Sequence, residues 1–455
     1  MQVRLTVIDG PQRGREFTFA ERANFIVGRS TKAHFRIGTD DKFFSRFHFM
    51  VEVNPPACQL LDLQSRNGTK VNGAAVQTVA LKDGDLIQAG QMVFEVQVLP
   101  DPAEESDSDL PILEARLPPA HPARPAAAAP PTHRDPEPTP VEAKVCIYCG
   151  GPLTNPNKPL CARCYHRSSQ DLAQDIPGYQ LLEEIGRGNM GIVYRAVCQA
   201  TGMHVALKTI MPAVAGSPKQ VKMFLREAEV LKQLSHPNIV GFHDLGQAGG
   251  RFFLAMEYVA GTDAHRLLKK KGPLTIAQGV DVIRQALKGL AFAHEKKFVH
   301  RDIKPANLLI AQEGNRGRVK LADFGLARIY HDAQFSGLTK IEDKVGTPAF
   351  MPPEQILNPR DVQPVADQYS AAATLYYLLT GEMLYEDVKN LNQLFGYILD
   401  ERHLPVPLHV RRPDVPAGLS AAVAKALAKD PAQRFASAAD FRAVLGPYAT
   451  PRAPT

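Results

Sequence analysis

The chain has 455 residues, 44% hydrophobic and 22% charged, with a formal charge of +6. That length accommodates two or three domains with separate cores, and the scattered basic residues point to neither nucleic acid nor a membrane as partner. Met1 leads straight into the alternating stretch Gln2 to Val7, with no charged start and apolar core, and no run of 18 apolar residues occurs, so the expectation is a soluble cytoplasmic protein without leader or membrane anchor.

Residues 1–99 read as many short strands. Strand-like stretches such as Val3-Leu5-Val7, Phe17-Phe19, Phe25-Val27, Phe49-Val51-Val53, Leu60-Leu61-Leu63 and Val93-Glu95-Gln97 are punctuated by Asp9-Gly10, Asn72-Gly73 and Asp83-Gly84. Close spacing with turn signals predicts a β-sandwich. Residues 100–144 break this pattern: 12 of residues 100–140 are Pro, with an acidic patch and an alanine run. Such a segment buries no core and is expected to be an extended, disordered linker.

Four of the six cysteines then cluster as Cys146-x-x-Cys149 and Cys161-x-x-Cys164. Without a secretion signal, paired CxxC units point to metal before disulfides. Four thiolates on two tight knuckles suit tetrahedral Zn²⁺, and the metal would stabilise so small a fold. Redox dithiols and disulfides remain the alternatives. The module, residues 145–166, resembles a short zinc ribbon.

From 178 to 447 strand-like stretches give way to helical ones. Gly186-x-Gly188-x-x-Gly191-x-Val193 is a glycine loop whose bare backbone can lie over phosphates. Val205-Ala206-Leu207-Lys208 is a strand ending in a cation that can grip them. Glu227 lies on a helical segment and can pair with Lys208. His300-Arg301-Asp302-Ile303-Lys304-Pro305-Ala306-Asn307 and Asp323-Phe324-Gly325 follow. Two carboxylates and an amide at this spacing suit metal-assisted phosphoryl transfer.

In these five motifs, in order and spacing, the segment closely resembles the protein kinase family, in its bacterial serine/threonine form. The resemblance implies a bilobal α+β domain, with an N-lobe over 178–258 and a C-lobe over 259–447, then a disordered tail over 448–455. It implies ATP and Mg²⁺ as cofactors and protein Ser/Thr hydroxyls as acceptors. Lys208, held by Glu227, would contact the α and β phosphates. Asp302 would accept the hydroxyl proton, and Lys304 would neutralise charge on the transferring group. Asn307 and Asp323 would bind Mg²⁺. Ile185, Gly186, Gly188, Gly191, Val193 and Ala206 would enclose the nucleotide, with Met256 as gatekeeper and Glu257, Tyr258 and Val259 in the hinge. Glu354 would pair with Arg434. Lys304 and Thr347 resemble the serine/threonine branch. Arg301 before the catalytic Asp goes with control by phosphorylation, for which Thr339 and then Ser336 are the candidate acceptors. Pro352-Pro353-Glu354 and Ala372 depart from the usual pattern without touching the chemistry. The alternative is a phosphopeptide-binding scaffold on a catalytically silent kinase fold.

The amino-terminal stretch carries Gly28-Arg29-Ser30, Ser45-Arg46-x-His48 and Ser65-Arg66-Asn67-Gly68-Thr69. On a strand-rich segment of this length they resemble a forkhead-associated (FHA) domain, which implies phosphothreonine-containing proteins as partners. Arg29, Ser45 and Arg46 would bind phosphate, Arg66 would add a loop contact, and Asn67 would hold the peptide backbone. His48 would brace the loops. Thr132 with Asp135, and Thr339 with Glu342, are the candidate sites for self-recognition across the long linker, the alternative being other proteins. The whole is thus expected to be multidomain: an all-β FHA sandwich, a small zinc ribbon and a bilobal α+β kinase domain.

Overall fold

The computed structural model describes residues 1–38, 42–100, 176–188, 191–210, 231–248, 251–313, 316–324 and 348–449. The linker beyond Pro100, the four clustered cysteines, Glu227, Gly325, Ser336, Thr339 and Thr347 lie outside them.

The first 99 residues form two stacked sheets. One has the order β2 (Glu16–Phe19), β1 (Gln2–Asp9), β11 (Met92–Leu99), β10 (Leu86–Ala89), β7 (Thr69–Val71) and β8 (Ala74–Val76). The other runs β4 (Phe35–Arg36), β3 (Ala23–Gly28), β5 (Phe49–Asn54), β6 (Ala57–Asp62) and β9 (Thr78–Leu81). In β1 the alternation places Val3, Leu5 and Val7 inward, and in β11 Met92, Phe94 and Val96 are the inward set. Phe35 and Phe49 meet the Phe94 ring edge-on, with centroids 6.0 and 5.6 Å away.

The second sheet buries both faces. β3 and β5 are almost wholly buried, and their apolar runs are continuous rather than alternating. Phe25, Val27, Phe49 and Val51 enter the sandwich core. Ile26, Met50, Leu61 and Leu63 point the other way, into one continuous apolar cluster with the carboxy-terminal helices. The described parts of Met1–Leu99 and of Ala173–Thr455 accordingly belong to one compact unit.

After residue 176 a five-stranded antiparallel sheet has the order β12 (Tyr179–Gly188), β13 (Gly191–Cys198), β14 (His204–Ile210), β16 (Arg251–Glu257) and β15 (Phe242–Ala248). A three-stranded sheet, β17 (Gly261–Asp263), β18 (Leu308–Glu313) and β19 (Arg316–Leu321), follows. Among the described residues the α-helices are α1 (Ala264–Lys271), α2 (Ile276–Glu295), α3 (Pro353–Leu357), α4 (Val365–Thr380), α5 (Leu391–Leu399), α6 (Leu408–Arg411), α7 (Ala417–Ala426) and α8 (Ala438–Val444).

α2 starts at a capping box between Thr275 and Gln278, which satisfies two otherwise orphaned amide donors. α4 is buried on every side, as its run Ala371-Ala372-Ala373 and Leu375 to Leu379 requires. It ends at Gly381, whose φ of 76° suits a left-handed cap, with its N–H bonded to the Tyr377 carbonyl.

Two short segments bind the sandwich to this helical layer. Asn24 Nδ2 donates to the Ile356 carbonyl on α3 at 2.7 Å, and Asn392 Nδ2 on α5 donates to the Gln77 carbonyl at 2.7 Å. Gly396 lets α5 approach closely, since a Cβ there would stand 3.2 Å from the Leu63 carbonyl oxygen.

Candidate active site and phosphate pocket

Register sets the upper wall of the cleft. Gly188 pairs with Gly191 at the tip of the β12–β13 hairpin, and Gly191 has a φ of 146°, which favours glycine. In β14, Val205 and Leu207 face the sheet's own core, so Ala206 and Lys208 face the opposite side. Ala206 lies across from Met256 on β16, and Lys208 across from Val193 on β13. Ile185, Val193, Ala206 and Met256 are half-buried.

Lys208 is 4% exposed, and its Nζ lies 2.7 Å from Asp323 Oδ1. Asp323 sits at a φ of 59°, a left-handed conformation rare for Asp, at the end of the β18–β19 hairpin. Enclosure by protein pushes its carboxyl upward, but Lys208, with help from Lys304, holds it below the ordinary carboxylate value.

Opposite stands the loop carrying Asp302. Lys304 Nζ lies 2.9 Å from Asp302 Oδ2. Asn307 Nδ2 donates to the Asp302 carbonyl at 2.8 Å and to Oδ2 at 3.0 Å. This turns the Asn307 amide oxygen away from Asp302. The Ala322 amide donates to the Asn307 carbonyl at 2.9 Å, tying this loop to the Asp323 segment. His300 contributes a second tie: its Nε2 lies 2.9 Å from the Ala322 carbonyl and its ring 4.4 Å from that of Phe324.

The loop is fixed from below by Asp367 on α4, 1% exposed. Its two oxygens accept the amide protons of His300 and Arg301, each at 2.9 Å, and Oδ2 lies 2.8 Å from His294 Nε2. Burial pushes this carboxyl up, yet the bonds from His294 and the His300 amide win and hold it below its ordinary value. The hold matters because Arg301 has a φ of 67°, a strained backbone that only surrounding bonds can maintain. The Arg301 guanidinium donates to the carbonyls of Pro359 and Arg360.

At the loop end of the sandwich, Gly28 permits a close crossing. A Cβ there would lie 2.2 Å from the Arg46 carbonyl oxygen. The Arg29 amide donates to Ser45 O at 3.0 Å, and the Ser30 amide to Arg46 O at 2.9 Å. His48, fully buried, accepts from the Ser45 amide at 3.1 Å and meets the Gly68 carbonyl at 3.2 Å, so it braces two loops. Ser45 Oγ accepts from the Arg66 amide at 2.9 Å, which leaves its hydroxyl proton to donate elsewhere. Asn67 Nδ2 donates to the Phe43 carbonyl at 2.8 Å. Arg29, Ser45 and Arg46 line a cavity of about 380 Å³, with Arg402 as the remaining lining residue.

The protein kinase domain model matches residues 179–443, more than half of the chain. The chain belongs to the protein kinase family. A second match, the FHA domain, covers residues 25–90, so an FHA domain precedes the protein kinase domain in this chain.

Similar proteins include the serine/threonine-protein kinase PknD of Mycobacterium tuberculosis, 38% identical over 263 residues, covering 58% of this chain and 38% of PknD. Serine/threonine-protein kinase pkn3 of Myxococcus xanthus is 36% identical over 273 residues, covering 59% of this chain and 49% of pkn3. The kinase thus spans less than half the length of these curated relatives. Among solved structures, the Mycobacterium tuberculosis PknI kinase domain is 29% identical, with a TM-score of 0.48, covering 61% of this chain and 98% of that one.

The Glu257 carboxylate accepts from Lys320 Nζ at 2.9 Å and the Gly241 amide at 3.0 Å, so this side chain is engaged within the fold. Arg434 grips Glu354 through two bonds, at 2.5 and 2.8 Å, with its side chain fully enclosed. Glu227, the expected partner of Lys208, and the candidate phosphosites Thr339 and Ser336 lie outside the described residues. Reading by motif passed over Asp367 as an anchor, and Arg402 as a neighbour of the FHA loops. Among the described residues no helix is long and apolar enough to cross a membrane.

Proposed function

We propose that this kinase transfers the γ-phosphoryl group of ATP to serine or threonine hydroxyls of proteins, and that its FHA domain reads phosphothreonine. The observation that carries the catalytic reading is the cluster at Asp302, with Lys304 Nζ at 2.9 Å and Asn307 Nδ2 at 3.0 Å from its carboxylate. Asp302 accepts the proton of the attacking hydroxyl while orienting its oxygen toward the γ-phosphorus. The new oxygen–phosphorus bond forms as the bond to ADP breaks, and Lys304 offsets the charge on the phosphoryl oxygens. Lys208 grips the α and β phosphates, with Ile185, Gly186, Gly188, Gly191, Val193, Ala206, Met256, Glu257 and Val259 shaping the nucleotide slot.

Mg²⁺ fits the donors present. Asp323 offers an ionised carboxylate and Asn307 an amide oxygen, and this ion takes one or two protein oxygens and completes its shell with phosphates and water. When bound, it neutralises the phosphates.

Lys208→Met tests the nucleotide grip. The variant is expected to lose about 10²–10³-fold in kcat/KM for ATP turnover, and turnover equal to wild type would refute the reading.

The four clustered cysteines support a structural zinc by their spacing alone, and they lie outside the described residues. Elemental analysis of the purified chain is expected to find zinc that is lost in a Cys146→Ser, Cys161→Ser double variant. A zinc-free wild type would leave thiol chemistry or disulfides as the reading. Thr339 and Ser336 remain the proposed activation-segment phosphosites, and phosphothreonine proteins or the chain's own phosphorylated segments the proposed FHA ligands.

A further inference from the structure

The FHA loops do not close their phosphate pocket alone. α5 ends at Asp400, and the turn that follows, Asp400-Glu401-Arg402, lies against Lys32 and Arg46. Arg46 Nη1 lies 2.7 Å from Asp400 Oδ1, and Lys32 Nζ lies 2.6 Å from Glu401 Oε1. Arg402 grips the same Asp400 from the other side, with Nη2 2.9 Å from Oδ2 and Nε 3.2 Å from Oδ1. One carboxylate therefore holds a guanidinium from each domain, and both arginines line the cavity with Arg29 and Ser45.

The turn is built to stay there. Lys429 is 6% exposed, and its ammonium donates to the carbonyls of Tyr397 and Asp400 at 2.5 and 2.6 Å and of His403 at 2.6 Å. It thus caps the carboxy-terminal end of α5, where a cation is favoured, and fixes the backbone on both sides of Arg402.

Charge then selects the ligand. Arg29, Lys32, Arg46 and Arg402 set four positive charges against Asp400 and Glu401, a surplus of two. A phosphothreonine brings about −1.5 to −2 at neutral pH. A carboxylate-bearing peptide without phosphate would leave the pocket under-neutralised.

We propose that the phosphothreonine site of this kinase is composite, with Arg402 of the catalytic domain binding the phosphate alongside Arg29, Ser45 and Arg46 of the FHA domain. The proposal rests on the phosphothreonine reading above and adds the second domain to it. Its consequence is coupling. A ligand held by both domains binds most tightly when they are docked, so occupancy stabilises that docking.

The test uses the full chain and fluorescent peptides with a fixed central phosphothreonine and randomised flanks. The unphosphorylated pool and two phosphopeptides copied from the segments around Thr132 and Thr339 run beside it. Arg402→Gln is expected to weaken binding of the phosphorylated pool about fivefold, a modest figure because its side chain is 74% exposed. Arg402→Lys should restore part of it, and Arg29→Gln should remove it. Tight binding of either self peptide would place the ligand in this chain, and binding of the pool alone would place it in another protein; both agree with the composite site. If Arg29→Gln abolishes binding while Arg402→Gln leaves it unchanged, the composite site is wrong and the FHA reading survives. If wild type prefers no phosphorylated peptide to its unphosphorylated twin, both readings fall.

Discussion

Asp302→Asn is expected to lower kcat for phosphoryl transfer by about 10²–10⁴-fold, the usual contribution of a positioned proton acceptor. The substitution keeps shape and removes basicity. Asn307 can still donate to the residue 302 carbonyl, and Lys208 still meets Asp323 on the far side of the cleft, 2.7 Å away. The nucleotide grip is therefore retained, and KM for ATP should move by less than threefold or so while kcat collapses. Steady-state kinetics with saturating peptide substrate separates the two. A fall in kcat/KM through KM alone would mean that Asp302 positions nucleotide and takes no proton.

The second large effect is structural. Asp367→Asn should destabilise the catalytic domain by about 3 kcal/mol, the scale for breaking a buried, hydrogen-bonded charge. Asp367 accepts from two consecutive amides, His300 and Arg301, and an amide side chain can accept from only one of them. The other amide would face the new NH₂ group with nothing to accept its proton, and the strained Arg301 backbone would relax. Activity should fall with stability, because Asp302 and Lys304 hang from that loop.

The effect has a pH signature. Asp367 is held below the ordinary carboxylate value in the folded protein, so its contribution is fully present above the unfolded value of about 3.9. It fades as the pH falls through the lower folded value. The gap between wild type and variant in urea denaturation should therefore be widest near neutrality and narrow only in strong acid. A gap that did not change between pH 7 and strong acid would show that charge is not what Asp367 supplies.

The grouping of the candidate cleft residues was readable because they sit in contiguous strings. His300 to Asn307 and Asp323-Phe324 are brought together by one short hairpin, β18–β19, whose register pairs Leu308 with Leu321. The FHA loops were readable for a similar reason, since Gly28, Ser45 and His48 make bonds that local spacing already suggests. What escaped the reading depends on contacts between distant segments. Asp367 lies 65 residues beyond Asp302 and stands out only once α4 is seen to be buried on every side. The docking of the sandwich on the helical layer joins Asn24 to Ile356 and Arg46 to Asp400 across more than 300 residues.

A trace of that docking was present nonetheless. Phe25-Ile26-Val27, Phe49-Met50-Val51 and Leu60-Leu61 are continuous apolar runs, where a sheet with one wet face would alternate. Taken as simple sandwich strands, they hid their second buried face. Ile26, Met50 and Leu61 fill it, and the kinase helices supply what they pack against.

The central claim is that this cleft moves phosphate from ATP to a hydroxyl. Phosphoamino-acid analysis after incubation with γ-labelled ATP, Mg²⁺ and a generic protein substrate tests it directly. Label on serine or threonine with wild type, accumulating about a hundredfold or more slowly with Asp302→Asn, is the predicted result. Equal labelling by both proteins, or none by the folded wild type, would contradict it.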